Sequence, residues 1–164
     1  MKNEILAEQS SRDPLTGLKN HRALYERLML TLNNKKANEE VSIAMMDIDD
    51  FKRVNDIKGH IYGDKILVGV SETLTKYARS TDIVGRYGGE EFLIIFPNTS
   101  KDQAYALCDL MLKETNEKFV TLEPKTTMSC GIQNFSGQSL NELIQQADVN
   151  LYKAKSSGKN RIVI

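Results

Sequence analysis

A chain of 164 residues can bury one core but is too short for two ordinary domains. Its 22 lysine and arginine residues equal its 22 aspartate and glutamate residues, so bulk charge gives no reason to expect a nucleic-acid polymer as partner. No apolar run approaches the roughly 20 residues of a membrane helix. We therefore expect a cytoplasmic domain, which would meet a membrane only through a segment upstream.

Residues 1–11 are predicted to be a linker or the stub of a connecting helix, and residues 12–164 a single domain. No repeat, low-complexity tract or flexible linker interrupts the second range. The two cysteines, Cys108 and Cys130, lie in a helical pattern and a strand-like run, which is typical of neither a metal pair nor a disulfide framework. We expect both to be small buried residues in a reducing compartment.

The first predicted helix begins near His21, after a turn-rich stretch, because three leucines then recur at spacings of four. The apolar stretch 41–46 is typical of a strand buried on both faces, and it ends at Asp47. A second helix is predicted from its apolar periodicity over residues 66–77. The glycine-punctuated stretch 58–64 before it is expected to be a loop or the start of that helix.

Two apolar runs, residues 83–87 and 92–96, flank the pair Gly88-Gly89. A glycine pair in this position predicts a β-hairpin because glycine tolerates positive φ. We therefore expect two antiparallel strands joined by a tight turn.

The spacing of apolar residues predicts another amphipathic helix over residues 104–112, and residues 126–131 are typical of a strand. The last helix is predicted to open at Ser139, which has capping-box spacing to Glu142. Residues 161–164 could add an edge strand.

The resulting order is β-α-β-β-α-β with an added helix at each end. This order predicts an α+β fold with a ferredoxin-like βαββαβ core, in which helices flank a central antiparallel sheet. The first and third strands are neighbours in such a sheet. Asp47 would then face the turn formed by residues 88–91.

Four carboxylates would meet at that edge of the sheet: Asp47, Asp49, Glu90 and Glu91. Mg²⁺ prefers a few such oxygens together with water and phosphate, and two metals can activate a hydroxyl that attacks a phosphoryl group. Any one of these acids could equally be solvated surface. The four together favour phosphate chemistry.

Further stretches agree with this interpretation, and they lie at residues 13–20, 47–52, 55–56, 59–60, 63–64, 86–92, 129–131 and 147–155. With these segments the chain resembles the GGDEF family of diguanylate cyclases, from Asp13 to Ile164. The resemblance implies a sheet like that of nucleotidyl cyclases and polymerase palms. Glutamate at Glu90 is a normal form of the family signature.

The resemblance implies that Asp47, the Ile48 carbonyl, Glu90 and Glu91 hold Mg²⁺ or Mn²⁺, with two ions in each site. Glu90 would also be the base for the ribose 3′-hydroxyl. The glycine pair would let the hairpin backbone approach the nucleotide.

The residues expected to contact GTP are Asp50, Phe51, Lys52, Asn55, His60, Asp64, Gly88, Gly89, Lys155 and Lys159. Asn55 and Asp64 would read the guanine edge, although each could be an ordinary cap or turn residue. Backbone N–H groups at residues 50–51 would cradle phosphates, and the lysines would add charge. Lys159 stands where the family more often has arginine, which replaces a bidentate contact by a point charge.

Arg79 and Asp82 match the RxxD motif that binds the product cyclic di-GMP and inhibits many members of the family. An arginine can clamp phosphate, and an aspartate can accept from a guanine edge. A surface ion pair near the start of a strand is also common.

The resemblance implies that two domains form a homodimer, in which each GTP is attacked at its α-phosphate by the 3′-hydroxyl of the other. Three alternatives stay open: a non-catalytic receptor for GTP or cyclic di-GMP, a class III purine nucleotide cyclase or polymerase palm, and a pure dimerisation module. Intact Asp47 and residues 88–91 argue against the receptor, because degenerate members typically lose them.

Overall fold

The structure is a computed structural model that describes residues 10–164. The helices and strands follow in this order: α1 (His21–Asn34), β1 (Ser42–Ile48), α2 (Phe51–Lys58), α3 (His60–Tyr77), β2 (Ile83–Arg86), β3 (Glu91–Phe96), α4 (Lys101–Lys118), β4 (Met128–Asn134), α5 (Leu140–Ser156) and β5 (Ile162–Val163). The predicted linker or helix stub over residues 1–11 lies outside the described residues, apart from Ser10 and Ser11 in a turn. Within the described range, no helix is both long and apolar enough to cross a bilayer.

The strands form one sheet in the order β2-β3-β1-β4-β5. Neighbours are antiparallel except β4 and β5, which are parallel. The predicted α+β fold with a βαββαβ core is thereby confirmed, including the pairing of the first strand with the third. Both edge strands are short, since β2 has four residues and β5 has two.

The connection between β1 and β2 differs from the prediction, because it holds two helices rather than one. The chain breaks between α2 and α3 at Gly59, whose φ of 86° suits glycine. Gly63 lies inside α3, so the glycine-rich stretch belongs to the helix start and not to a long loop.

Alternation along the central strand gives the sheet two apolar faces. Ala44, Met46 and Ile48 pack with residues of α2, α3 and α4, whereas Ile43 and Met45 pack with residues of α1 and α5. All seven residues of β1 are buried, as the sequence predicts for a strand covered on both faces. By the same alternation, the Asp47 side chain projects to the α1 and α5 face.

Side-chain caps define where several helices begin. Asn20 caps α1 by accepting the Ala23 N–H at 2.9 Å. Ser139 and Glu142 form the predicted capping box at the start of α5.

Cys108 on α4 and Cys130 on β4 are both buried, as predicted, and their thiols interact with each other. Burial and the neighbouring Cys130 raise the pKa of the Cys108 thiol. The sequence spacing of the two residues gave no sign of this contact.

Helix α5 lies directly against β4 at Gly131. A Cβ atom at this position would collide with the Ala147 carbonyl oxygen and the Leu151 nitrogen, which are backbone atoms that cannot rotate away. The close approach of α5 and β4 therefore depends on this glycine, and α5 carries Lys155 to the end of β1.

We expect Gly131→Ala to destabilise the domain by about 2 kcal/mol, because overpacking forces the helix away from the sheet. In a chain of this size the midpoint of thermal unfolding should fall by roughly 4 to 8 °C. Gly89→Ala is the matched control, since a Cβ there meets no atom within 4 Å. Equal midpoints for the two variants, measured by circular dichroism, would contradict this account.

Candidate active site

The end of β1 and the start of β3 bring the predicted acidic residues together. Asp47 pairs with Glu91 across the two strands, and the Ile48 N–H donates to the Glu90 carbonyl at 3.2 Å. Directly opposed residues place their side chains on the same face of a sheet. The prediction that Asp47 faces the glycine hairpin is therefore confirmed as geometry.

The carboxylate of Asp47 is strongly affected by its surroundings. Its pKa is raised to about 6: burial is the largest cause, the bonded Lys155 acts in the opposite direction, and the charges of Glu90 and Glu91 add to the rise. The pKa of Glu91 is also raised, by burial and then by Asp148 and Glu90. Three carboxylates thus share too little positive charge, which favours binding of a further cation.

Lys155 shows what fits between the predicted metal ligands. Its ammonium group contacts the Asp47 carboxylate and lies 3.4 Å from the Ile48 carbonyl oxygen. The ammonium therefore stands where a cation would be held by these two oxygens. Within residues 10–164, no group of three or more His, Cys, Asp or Glu side chains is placed to hold a metal ion. The hard oxygen donors fit Mg²⁺ whose remaining ligands come from water and phosphate.

Asp49 lies at the same edge of the sheet, 3.5 Å from the Lys155 ammonium that also contacts Asp47, but it has partners of its own. Its carboxylate is buried and accepts hydrogen bonds from Thr127, Ser129 and the Asn160 N–H. The strand ends at Ile48, and Ser129, which lies opposite Asp47 on β4, donates to the Asp49 carboxylate. Sequence alone could not distinguish these two aspartates.

The glycine hairpin also differs from the prediction in one respect. Neither Gly88 nor Gly89 adopts a positive φ, so conformational freedom is not what requires glycine here. A Cβ at Gly88 would instead crowd the Glu91 carboxylate, whereas Gly89 is exposed with open space around it. The absence of a side chain at Gly88 therefore makes room for the Glu91 carboxylate, and Gly89 leaves the adjoining surface open.

Arg86 connects this hairpin to the N-terminal turn. Its guanidinium donates to the Gly89 carbonyl at 2.7 Å and to Asp13 at 3.2 Å. Burial alone would raise the pKa of Asp13, but bonds from Thr16 and the charge of Arg86 outweigh it and lower that pKa. Neither Asp13 nor Arg86 has a role predicted from sequence, although both lie in the segments that resemble the family.

The predicted phosphate-binding residues surround the start of α2. Asp50 precedes this helix with φ of 54°, and its side chain makes no capping bond to the helix. The N–H groups in the first turn of α2 receive no cap from the Asp50 side chain and point out of the N-terminal end of the helix. An anion could accept hydrogen bonds from them there. Lys159 reaches this turn and bonds Asp50 at 2.6 Å, and Lys52 is exposed beside it.

The predicted guanine-reading residues lie on α2 and α3. Gly63 packs so closely on Asn55 that a Cβ would overlap the Asn55 amide. The Asn55 Oδ1 is buried and has no hydrogen-bond partner within the described part of the chain, so no bond fixes how the amide is turned. Asp64 follows Gly63 directly and is exposed, as is His60 at the start of α3. Asn55 and Asp64 are thus on adjoining helices, and the role of His60 stays a prediction.

Arg79 and Asp82 lie at the other end of β2 from the hairpin. Arg79 donates to Asp82 at 2.8 Å and to Thr99 at 2.5 Å, and the Asp82 side chain is fully buried. The pair borders a cavity of about 410 Å³ that Lys19 and Arg27 also line. This cavity is rich in positive charge and separate from the acidic residues.

Residues 10–161 match the family described as "Diguanylate cyclase, GGDEF domain". Diguanylate cyclase A of Treponema denticola is 35% identical over 171 residues, which cover 99% of this chain and 46% of that protein. Diguanylate cyclase DgcM of Escherichia coli is 33% identical over 165 residues, covering 98% of this chain and 40% of that protein. The chain therefore spans less than half the length of these curated relatives.

Solved structures agree with the sequence matches. The coiled coil and GGDEF domain of DgcB from Caulobacter crescentus, in complex with c-di-GMP, superposes with a TM-score of 0.91 at 26% identity. That match covers 99% of this chain and 89% of the other. Diguanylate cyclase SiaD from Pseudomonas aeruginosa, in complex with its activator SiaC, gives 0.90 at 35% identity and covers 99% and 64%. These matches confirm the predicted fold and the predicted family resemblance.

We expect a double-mutant cycle to reveal the coupling between Arg86 and Asp13. Arg86→Gln and Asp13→Asn should each lower the free energy of unfolding by about 1 to 3 kcal/mol, because each leaves a partly buried charge without its partner. The double variant should lose less than the sum, with a coupling of about 1 kcal/mol. Urea unfolding of the four proteins measures it, and strictly additive losses would show that the two side chains act independently.

Proposed function

This chain belongs to the GGDEF family of diguanylate cyclases, and on that premise we propose that it condenses two molecules of GTP into cyclic di-GMP and two pyrophosphates. The observation that carries the proposal is the Lys155 ammonium, which lies between the Asp47 carboxylate and the Ile48 carbonyl beside the glycine hairpin. A cation site of hard oxygens at that position suits a triphosphate substrate.

In this proposal Asp47, the Ile48 carbonyl, Glu90 and Glu91 would hold two Mg²⁺ or Mn²⁺ ions, which would neutralise charge on the phosphates and favour ionisation of the attacking hydroxyl. The raised pKa values of Asp47 and Glu91 support this ligand set, because added positive charge relieves their repulsion. Half-buried Glu90 at the hairpin would accept the proton of the ribose 3′-hydroxyl.

The chain's other residues would bind and orient the nucleotide. The α2 N–H groups near Asp50 and Phe51, with Lys52, Lys155 and Lys159, would bind the phosphates. Asn55 and Asp64 would select guanine through its ring N–H, amine and carbonyl groups, and His60 is a further contact candidate. Exposed Gly89 leaves space for the ribose and phosphates to approach, and Gly88 beside it leaves room for the Glu91 carboxylate.

One such site holds one GTP, so we propose that catalysis needs two copies face to face. The 3′-oxygen of each nucleotide attacks the α-phosphorus of the other, the bond to the pyrophosphate breaks, and two phosphodiester bonds form. Face-to-face pairing gives the geometry that in-line attack requires. A cytoplasmic location accords with this use of GTP, and attachment to a membrane would come from another part of a longer protein.

The basic cavity at Arg79 and Asp82 is proposed as the site where cyclic di-GMP inhibits the enzyme. Arg27 and Lys19 line the same cavity and add positive charge for the two phosphates. The Asp82 carboxylate forms an ion pair with Arg79 in the structure. Arg79 would therefore have to leave Asp82 and turn toward the ligand before Asp82 could bind guanine.

The activity test incubates concentrated protein with GTP and Mg²⁺ and separates the nucleotides by chromatography. We expect cyclic di-GMP, and we expect Glu90→Gln to form it at least about 100-fold more slowly, because the base is lost. Glu117→Gln, an exposed glutamate on α4, should match the parent protein.

Other products would assign a different function. Tight GTP binding without any product would favour the non-catalytic receptor. A 3′,5′-cyclic mononucleotide would favour the class III type of cyclase, and no nucleotide binding at all would favour a dimerisation module.

Product inhibition is tested with Arg79→Ala. We expect the cyclic di-GMP concentration for half-inhibition to rise about tenfold or more, because the variant lacks the arginine that would clamp a phosphate. Arg22→Ala is the control, since this exposed arginine on α1 forms an ion pair with Glu26 and does not line the cavity. Unchanged inhibition in Arg79→Ala would place the inhibitory site elsewhere.

A further inference from the structure

Asp49 has the most complete set of hydrogen-bond partners among the acidic residues near the site. Only 3% of its surface is exposed. Its Oδ1 accepts from Ser129 at 2.7 Å, and its Oδ2 accepts from Thr127 at 2.7 Å and from the Asn160 N–H at 3.0 Å. The Lys155 ammonium lies 3.5 Å from Oδ1. A carboxylate with all these donors is fixed in position.

These partners come from separate parts of the chain. Ser129 lies near the start of β4 and Thr127 just before it, where the Asp49 N–H also donates to the Thr127 carbonyl at 2.9 Å. Lys155 is on α5, and Asn160 lies in the turn that follows α5. Asp49 therefore joins the end of β1 to both segments that carry the predicted phosphate-binding lysines.

The turn after α5 needs such an anchor. Lys159 and Asn160 adopt φ of 62° and 49°, so two consecutive non-glycine residues are left-handed. This conformation is unfavourable for residues with a Cβ and persists when other contacts hold it. The Asn160 N–H is held by Asp49, and the Lys159 side chain is held by Asp50 at 2.6 Å. Two successive aspartates thus fix both residues of the turn against the start of α2.

The position of the Lys155 ammonium group also depends on Asp49. Its ammonium contacts Asp47, Asp49 and the Ile48 carbonyl. When Asp47 and Ile48 bind another cation, those two contacts weaken through charge repulsion. Asp49 is buried and fixed by its own donors, so it keeps Lys155 beside the site.

We propose that Asp49 is a positioning residue, which holds Lys155 and the Lys159 turn in place for the phosphates of the nucleotide. This inference rests on the proposed GTP-binding function. Holding two flexible lysines in advance reduces the entropy that binding must otherwise cost. The effect concerns phosphates only, because Asp49 makes no contact with Asn55 or Asp64 in any bond of the described residues.

The test compares ligands that differ in phosphate content. The probes are guanosine and 3′-deoxy-GTP, both with Mg²⁺, and the second lacks the hydroxyl that would react. For Asp49→Asn we expect the Kd of 3′-deoxy-GTP to rise about tenfold, with the Kd of guanosine changed less than about twofold. Titration calorimetry measures the triphosphate, and NMR titration measures guanosine.

A second variant covers the case in which Asp49→Asn does not fold, which circular dichroism would show. Thr127→Val removes one donor to Asp49 and keeps both the shape of the side chain and the charge of the carboxylate. We expect it to weaken 3′-deoxy-GTP about threefold and to leave guanosine unchanged. Asp109→Asn, which removes the same charge from α4 where its bonded partner is Lys113, is the control and should bind both ligands like the parent.

The outcomes separate this inference from the function on which it rests. If the parent protein does not bind 3′-deoxy-GTP, the proposed function fails first. If the parent binds it and the folded Asp49 and Thr127 variants bind it equally well, only the positioning role is wrong. An equal loss for guanosine and 3′-deoxy-GTP would assign Asp49 a general structural role and would also overturn the inference.

Discussion

The antiparallel pairing of β1 with β3 is the constraint on which the rest of the site depends. The register of these strands places Asp47 opposite Glu91 and lets the Ile48 N–H donate to the Glu90 carbonyl. A shift by one residue would send Asp47 into the opposite apolar face of the sheet. Both faces are covered by helices, so the register that buries the apolar residues of β1 is also the one that gathers the acids.

Placing several carboxylates close together has an electrostatic cost, and the residues around each carboxylate respond to it differently. Asp47 is paired with Lys155, yet its pKa is raised to about 6, first by burial and then by the charges of Glu90 and Glu91. Asp49, only two residues away, has hydrogen-bond donors on both oxygens. The two aspartates therefore have different chemistry. Asp47 lies among other carboxylates that share one ammonium group, so it attracts a further cation. Asp49 already accepts hydrogen bonds on both oxygens, so it is suited to holding its neighbours in place.

Much of the fold and part of the site were predictable, because they depend on local signals. The glycine pair between apolar runs, the capping box at Ser139 and the strand order together placed Asp47 beside the hairpin. The Arg86–Asp13 pair was missed because it spans 73 residues, and nothing local distinguishes its arginine from a surface residue. Asp49 was grouped with Asp47 because sequence shows neither where β1 ends nor which hydroxyl groups of β4 lie opposite. The break at Gly59 depends on how α2 and α3 pack, and so does the contact of Asn55 with Gly63.

The two short edge strands of the sheet affect how the domain behaves at high protein concentration. Unpaired strand edges are templates on which other chains can add and polymerise. At one margin, the main chain of Lys19 already bonds Val84 and Arg86 of β2, and at the other, β5 offers only two residues. Such a domain can be crowded against its own copies, as the proposed joining of substrates held by two copies would require, with little tendency to grow into fibrils.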